Sequence, residues 1–323
     1  MSATADRPVS SPAARPADTS QGRLARAWDS DLAWSFRRSP VAIGAGLILL
    51  VLLVGSVFAP WLAPHNPLDL ASLNLMDSRI PPAWDADGAL TFPLGTDDQG
   101  RDILSGIMYG TRISLVIGVS SVLFAVVVGV AVGLVAGYAG GWVDAALMRV
   151  ADIQLSFPSI LIALLVDGVV SASLPQEMHA RAAVWVLIFS IGISYWPQFA
   201  RTVRGSTLVE RNREYVLAAQ VIGLSPPRIM LSHILPNVLG PVFVIGTLTL
   251  GLAILSEATL SFLGVGLPPT SPSVGTLIRI GDDFLFSGEW WMTIFPGAAL
   301  VLLVLSINLL GDWLRDALNP RLR

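Results

Sequence analysis

Side chains that do covalent or metal chemistry are scarce in this chain and poorly placed for it. Three histidines, His65, His179 and His233, stand far apart, and no pair has metal-ligand spacing. Cysteine is absent, which excludes thiolate chemistry and disulfides. All twenty basic residues are arginine, so there is neither a Walker A lysine nor a Schiff-base lysine. No cofactor and no metal are expected. Two features remain. Glu257 is the one acidic residue well inside an apolar run, where an ionisable group usually faces a cavity or a partner. The stretch "EYVLAAQVIGLSPPRIMLSHILPN", Glu214 to Asn237, is polar and broken by turns, yet it lies between two runs apolar enough to cross a membrane.

The elements that must position these groups are transmembrane helices. Of 323 residues, 53% are hydrophobic and 13% charged, against about 25% charged in a soluble domain. The net charge of −3 gives no reason to expect nucleic acid. At about 20 apolar residues per crossing, the runs predict six spans: Val41–Ala59, Ile113–Ala136, Ile153–Val170, Ala182–Ala200, Val238–Leu263 and Met292–Leu310. The third is the weakest, because Asp152, Gln154 and Pro158 crowd its start and Asp167 its end. Arginine sets the orientation. With the N-terminus inside, fifteen arginines fall on inner segments and five (Arg79, Arg101, Arg112, Arg181 and Arg279) on outer ones, so both termini are expected in the cytoplasm.

Residues 1–20, rich in Ala, Pro and Ser, read as disordered. Leu24, Trp28, Leu32 and Phe36 then recur every four residues among arginines, which predicts an amphipathic helix on the inner membrane face. The chain therefore divides into a cytoplasmic lead-in (1–34), a first span (35–60), an external loop (61–110), a membrane core (111–312) with a cytoplasmic loop at 201–236, and a cytoplasmic tail (313–323). In the second span Gly129, Gly133 and Gly137 repeat every four residues, so that another helix can approach closely. Packing within the chain is the simpler use of that ladder, and contact with a second membrane subunit the sharper one. Arg149 and Asp152 are spaced to pair on one helix face.

Within the polar stretch, Glu214 to Ile222 are good helix formers, and Gly223 sits where a left-handed residue ends a helix. Ser225 suits an N-cap and Pro226 the first helical position. A second short helix is predicted to about Leu235, with Pro236 marking entry to the fifth span. Some 35 residues separate the flanking spans, whereas a plain connection needs about 2–8. A structured module without catalytic residues, small at its elbow, suits docking.

Ala218-Ala219, three residues, Gly223, then Leu235-Pro236 resembles the EAA loop of permease subunits of ATP-binding-cassette importers. Glu214-Tyr215-Val216 with His233-Ile234-Leu235-Pro236-Asn237 is similar to the dipeptide/oligopeptide/nickel subfamily, although Leu217 replaces the name-giving glutamate and His233 displaces the usual isoleucine. "PLGTDDQGRDILSGIMYGTRISL" (Pro93–Leu115), "GYAGGWVDAALM" (Gly137–Met148), "SEATLSFLGVGLPP" (Ser256–Pro269) and "NLLGDWLRDALNPRLR" (Asn308–Arg323) resemble its smaller, C-type permease subunit. The likeness runs from about residue 35 onward, apart from Asp77–Thr91.

The resemblance implies an all-α polytopic protein with the type I importer fold, in the bacterial inner membrane. It also implies a passive role in importing peptides or related cargo such as nickel chelates. The implied partners are the lipid bilayer, a second homologous permease, two ATPase subunits and an extracytoplasmic substrate-binding protein. Glu214, Tyr215, Ala218, Ala219, Gly223, Leu224, Ser225, Arg228 and Pro236 would couple to an ATPase. Thr96, Asp97, Gly100, Arg101 and Asp102 would form an external landing surface for the binding protein, or a stable lid. Thr96 and Gln99 have the form of a capping box that would open an external helix ending near Gly110.

Thr249 and Ser256 share a helix face with Gly246 and Ala253, a mildly polar stripe that would line the pathway with Glu257; alternatively Glu257 reaches the outer interface. A self-contained secondary transporter or channel would instead want repeats and several buried charges, and an intramembrane enzyme a nucleophile with its base or a metal cluster. The orientation has a direct check, because a chain without cysteine reports single substitutions cleanly. Asp85→Cys should react with an impermeant thiol reagent from outside and Gln220→Cys should not; the reverse pattern would invert the topology.

Overall fold

A computed structural model describes residues 31–69, 73–173 and 176–318. Leu24, Trp28, the lead-in predicted to be disordered and the last residues of the tail lie outside them. Among the described residues every regular element is helical, and a single bridge pairs Thr96 with Asp102. Helix α1 (Asp31–Arg38) belongs to a small N-terminal unit. In it the Arg38 guanidinium lies 4.1 Å over the Trp34 ring, a cation–π contact.

The second unit begins at Val41 and holds the membrane helices. These are α2 (Pro40–Val57), short α3 (Ala59–Leu62), α4 (Ile103–Ala139), α5 (Gly141–Leu155), α6 (Ser159–Ser173) and α7 (Gln176–Glu210). The rest are α8 (Glu214–Val221), α9 (Pro226–Ile229), α10 (Leu235–Phe262), α11 (Val274–Asp282) and α12 (Trp291–Leu318). Leu47, Leu50, Val51 and Val54 of α2 are exposed, as suits a helix whose solvent on one side is lipid.

Five of the six predicted spans appear as continuous helices of sufficient length and apolarity. The third does not: α5 and α6 meet at 90° across Ser156–Pro158. Phe157, preceding a proline, is pushed out of the helical region, and the Ser156 amide closes α5 on the carbonyls of Asp152 and Ile153.

Helices α4 and α7 pack along their length, and the glycine ladder is the seam. A Cβ on Gly129 would lie 2.5 Å from Phe199 Cβ, on Gly133 2.6 Å from the Ala200 carbonyl, and on Gly137 2.7 Å from Thr207 Cβ. The ladder thus serves packing within the chain, the simpler of its two uses. Ile254 of α10 fits over Gly118 in the same way. Phe199, Val203, Ile117 and Ala125 form the centre of the largest core.

Two expectations fail here. Asp152 does not take Arg149 as its partner. Its carboxylate faces Arg201 on α7 at 3.8 Å, while Asp144 makes a two-pronged ion pair with Arg204, so the crossing of two helices prevails over spacing within one. There is also no separate external helix opened by Thr96. The N-cap is Asp102, whose Oδ2 accepts from the Ser105 amide at 2.9 Å, and α4 runs unbroken past Gly110. Gly110 marks a crossing: a Cβ there would sit 3.1 Å from the Val274 amide at the start of α11.

The seam makes a testable distinction between glycines. Gly133→Ala forces backbone apart and should cost about 1–3 kcal/mol, seen as a lower melting temperature in detergent. Gly168→Ala, whose new methyl meets nothing within 4 Å, should leave it unchanged or raise it. Equal effects would mean the seam is not close-packed.

Candidate functional site

The polar module forms a compact elbow. Glu214 opens α8 with its charge at the favourable end of the helix dipole. Gly223 is left-handed, φ +80. Its amide reaches the Gln220 carbonyl at 3.0 Å and the next amide, Leu224, reaches the Ala219 carbonyl at 3.1 Å. This is a Schellman closure, and it satisfies the last carbonyls of α8. Ser225 holds the N-cap position of α9, but its side chain makes no capping bond. Pro226 and Pro227 follow it, and neither has an N–H to offer.

The second half of the module is not a separate helix. Helix α9 passes through a π-turn, Met230–Ile234, straight into α10, giving one element of 37 residues, Pro226–Phe262. Pro236 does not begin the span; it is accommodated inside a longer helix. A proline removes an amide donor and crowds the carbonyl four residues back. The wider π-turn relieves this, with the Leu235 amide reaching back to the Met230 carbonyl.

A hydrogen-bonded pin holds the turn. Asn237 Nδ2 donates to the His233 carbonyl at 2.8 Å and to the Tyr215 hydroxyl at 3.0 Å. Tyr215 in turn donates to Glu210 Oε2 at 2.5 Å. Burial, then the bond to Glu210, pushes the Tyr215 phenol up, so that it stays a donor. The end of α7, the start of α8 and the start of α10 are thereby tied at one hydroxyl. Glu210 and Asn237 were not among the predicted coupling residues. The signal for both is a polar side chain at helical spacing from the module's ends.

The module has two faces. Val216, Ala219, Ile229 and Ile234 are buried in the core that α4 and α7 share, and Leu224 packs against it. Leu217, Ala218, Gly223 and Arg228 are exposed, with Val221 at 87% and Ile222 at 74%. An apolar edge is thus held out on a rigid base.

The predicted pathway residues separate. Thr249 is buried. Ser256 is half-buried and shares a 2.9 Å hydrogen bond with Tyr195 of α7, in a cleft that Ser159 and Ser194 also line. Glu257 is enclosed within its own chain. It is fully buried, accepts from Ser261 at 2.8 Å, and has the hydroxyls of Ser114 and Ser273 close by. Sequence reasoning missed Tyr195, which sits on another span.

The predicted external residues are buried too. Asp97 accepts from the amides of Gln99 and Arg101, and from Arg101 Nε at 2.6 Å. Arg101 Nη1 crosses to the Pro269 carbonyl at 2.7 Å. Thr96 Oγ1 donates to the Asp77 carbonyl, its carbonyl accepts from the Trp291 indole, and Gly100, φ +79, packs against Asn74. These bonds tie the cluster into the packing of its own chain. Neighbouring Asp98 is pushed up by burial and by the Asp97 charge, with Arg101 pulling the other way.

Residues 129–323 match the family described as "binding-protein-dependent transport system inner membrane component". Residues 27–82 match the N-terminal transmembrane domain of oligopeptide transport permease C. The chain is similar to the dipeptide transport system permease protein DppC of Escherichia coli K12, 41% identical over 89% of this chain and 91% of that one. The dipeptide transport permease DppC of Haemophilus influenzae is also 41% identical, over 87% of this chain and 90% of its own. The di/tripeptide permease DppC of Pseudomonas aeruginosa is 36% identical over 90% and 91%. Among solved structures, the inward-facing MetNI methionine ABC transporter matches with a TM-score of 0.50 and 21% identity, covering 66% of this chain and 96% of that one. That likeness speaks for the fold.

If the pin holds the π-turn, Asn237→Leu and Tyr215→Phe should each speed amide exchange at residues 230–235 by about 2- to 10-fold, the worth of one net hydrogen bond. Unchanged exchange would show that the turn stands on packing alone.

Proposed function

The chain belongs to the family of binding-protein-dependent transport inner membrane components, and from that premise we propose that it is the C-type membrane subunit of an ATP-driven peptide importer, supplying half of the translocation pathway. The observation that carries the coupling role is the elbow at Glu214–Ser225: an exposed apolar edge on a base continuous with a membrane-crossing helix. A load applied to that edge reaches α10 through the π-turn and α7 through Tyr215. The partners are a second homologous permease, two ATPase subunits that receive the elbow in a cleft, and an extracytoplasmic binding protein. ATP binding closes the ATPases and swings the helices from inward- to outward-facing, a rigid-body change driven by ligand binding to the partners. Hydrolysis is assigned to those partners, because a chain without lysine carries no Walker A lysine. The arginine bias supports a cytoplasmic position for both termini.

The cargo class, dipeptides or longer peptides with nickel chelates as the neighbouring possibility, follows the relatives' names and the loop's wording. A self-contained secondary transporter would couple cargo to an ion through buried charge. Glu257, the acid deepest in a continuous apolar span, is buried among hydroxyls, which speaks against it.

Gly223 tests the coupling role. A Cβ there meets nothing within 4 Å, so Gly223→Val acts through backbone strain alone, on the order of 1–2 kcal/mol. The variant should insert and pair normally but lose uptake, with its ATPases detached or hydrolysing without response to the loaded binding protein. Gly223→Asn, which accepts the left-handed backbone more readily, should be milder. Uptake and stimulated ATPase rates in reconstituted complexes decide, and a Gly223→Val complex indistinguishable from the parent would remove the coupling role.

A further inference from the structure

The end of the bundle away from the elbow holds a small cavity with charged groups in its wall. Its volume is about 10 Å³, room for a single water molecule. Arg101, Asp102 and Gly106 line it around the N-terminus of α4, Leu277 and Gly281 from α11, and Met292 from α12. Arg101 and Asp102 are 3% and 1% exposed. Most of their polar atoms are committed elsewhere. Arg101 Nε donates to Asp97 and Nη1 to the Pro269 carbonyl. Asp102 Oδ2 accepts from the amide and the hydroxyl of Ser105. Two atoms are left over: Arg101 Nη2 and Asp102 Oδ1 are buried and have no hydrogen-bond partner among the described residues. His65 does not supply one, because its Nδ1 stops 3.9 Å from Asp102 Oδ2, beyond a direct bond.

A buried charged group left without a partner is costly, and cavities that stay empty have apolar walls. We infer that this cavity is a binding site for one water molecule, which accepts a hydrogen bond from Arg101 Nη2 and donates one to Asp102 Oδ1. The wall selects water over an ion. A sodium ion would meet the guanidinium, and a chloride ion the carboxylates of Asp97 and Asp102. Water turns an oxygen to one group and a hydrogen to the other, as bridging waters do. The bridge links the guanidinium before α4 to the carboxylate that caps α4. It lies where α4, α11 and α12 converge, so the water is a structural part of that joint.

Gly106 provides a test by sign. A Cβ there would meet only Leu277, whose two methyl groups lie at 3.5 Å, an ordinary contact. An alanine methyl therefore enters the cavity wall without strain. In a dry cavity Gly106→Ala fills space and gains helix propensity, so it raises the melting temperature. With water in place the methyl displaces it and strands two charged groups, a loss that outweighs that gain. Gly106→Ala should then melt about 2–4 °C below the parent. Gly106→Ser, whose hydroxyl takes the place of the water, should melt above Gly106→Ala. Alanine melting above serine would overturn the proposal. A density map of the reconstituted complex of permeases, ATPases and binding protein, at a resolution that shows ordered water, decides even where neither variant assembles. One peak should stand about 2.7–3.2 Å from both Arg101 Nη2 and Asp102 Oδ1. No peak there, with other buried waters visible in the same map, would remove the site.

Discussion

The close approach of α4 and α7 is the contact on which the rest depends. Lipid tails are as apolar as leucine, so a bilayer supplies no hydrophobic drive between helices, and dispersion across a tight seam must hold them. Gly129, Gly133 and Gly137 make that seam by leaving no side chain between two backbones. The core it creates is continuous with the elbow, because Val216, Ala219, Ile229 and Ile234 belong to the same cluster as Phe199 and Val203. The elbow is therefore part of the membrane core's packing, although its outer edge is exposed.

Each departure from regular helix then has an identifiable receiver for its backbone groups. Gly223 closes α8 by returning two amides to α8 carbonyls. The π-turn absorbs the donor that Pro236 lacks, and the Asn237 amide takes the His233 carbonyl. At the α5–α6 break, Gln154 fixes one edge to α7 and the Ser156 hydroxyl returns to the Asp152 carbonyl. The exposed remainder needs water or protein.

Legibility in the sequence followed how local each constraint is. The turn at Gly223 and the position of Ser225 were readable, because a left-handed residue and an N1 proline act on their immediate neighbours. Five spans were readable from apolar length, but not their full extent: α7 stays helical through Arg201, Arg204 and Glu210, where polar residues leave the hydrocarbon without leaving the helix. Thr96 misled because a capping-box pattern says nothing of distant partners; its hydroxyl and carbonyl are engaged by Asp77 and Trp291. Glu257 was placed on the correct helix, but a stripe drawn on one helix cannot say which neighbour covers it. Pro236 was read as a start because a π-turn has no sequence signature of its own.

The two ends of the bundle are built differently, and that difference bears on how it could move. At the end away from the elbow, the buried Asp97–Arg101 pair bonds onward to the Pro269 carbonyl, and the Trp291 indole bonds to Thr96. These contacts join the lead-in to α4, the segment after α10 and the start of α12. Opening them leaves the Asp97–Arg101 pair intact but removes the charged hydrogen bond from Arg101 to the Pro269 carbonyl, worth about 1.5–3 kcal/mol. At the elbow, Leu217, Val221 and Ile222 are exposed and meet nothing comparable. On the proposed reading a load enters at the open end, through two helices that leave the elbow directly, and works against a closed end. Between the two lie the α5–α6 break and the cleft beside Tyr195 and Ser256, which α6, α7 and α10 share. On the same reading, a rotation of α10 relative to α7 would disturb the Tyr195–Ser256 bond that joins them there.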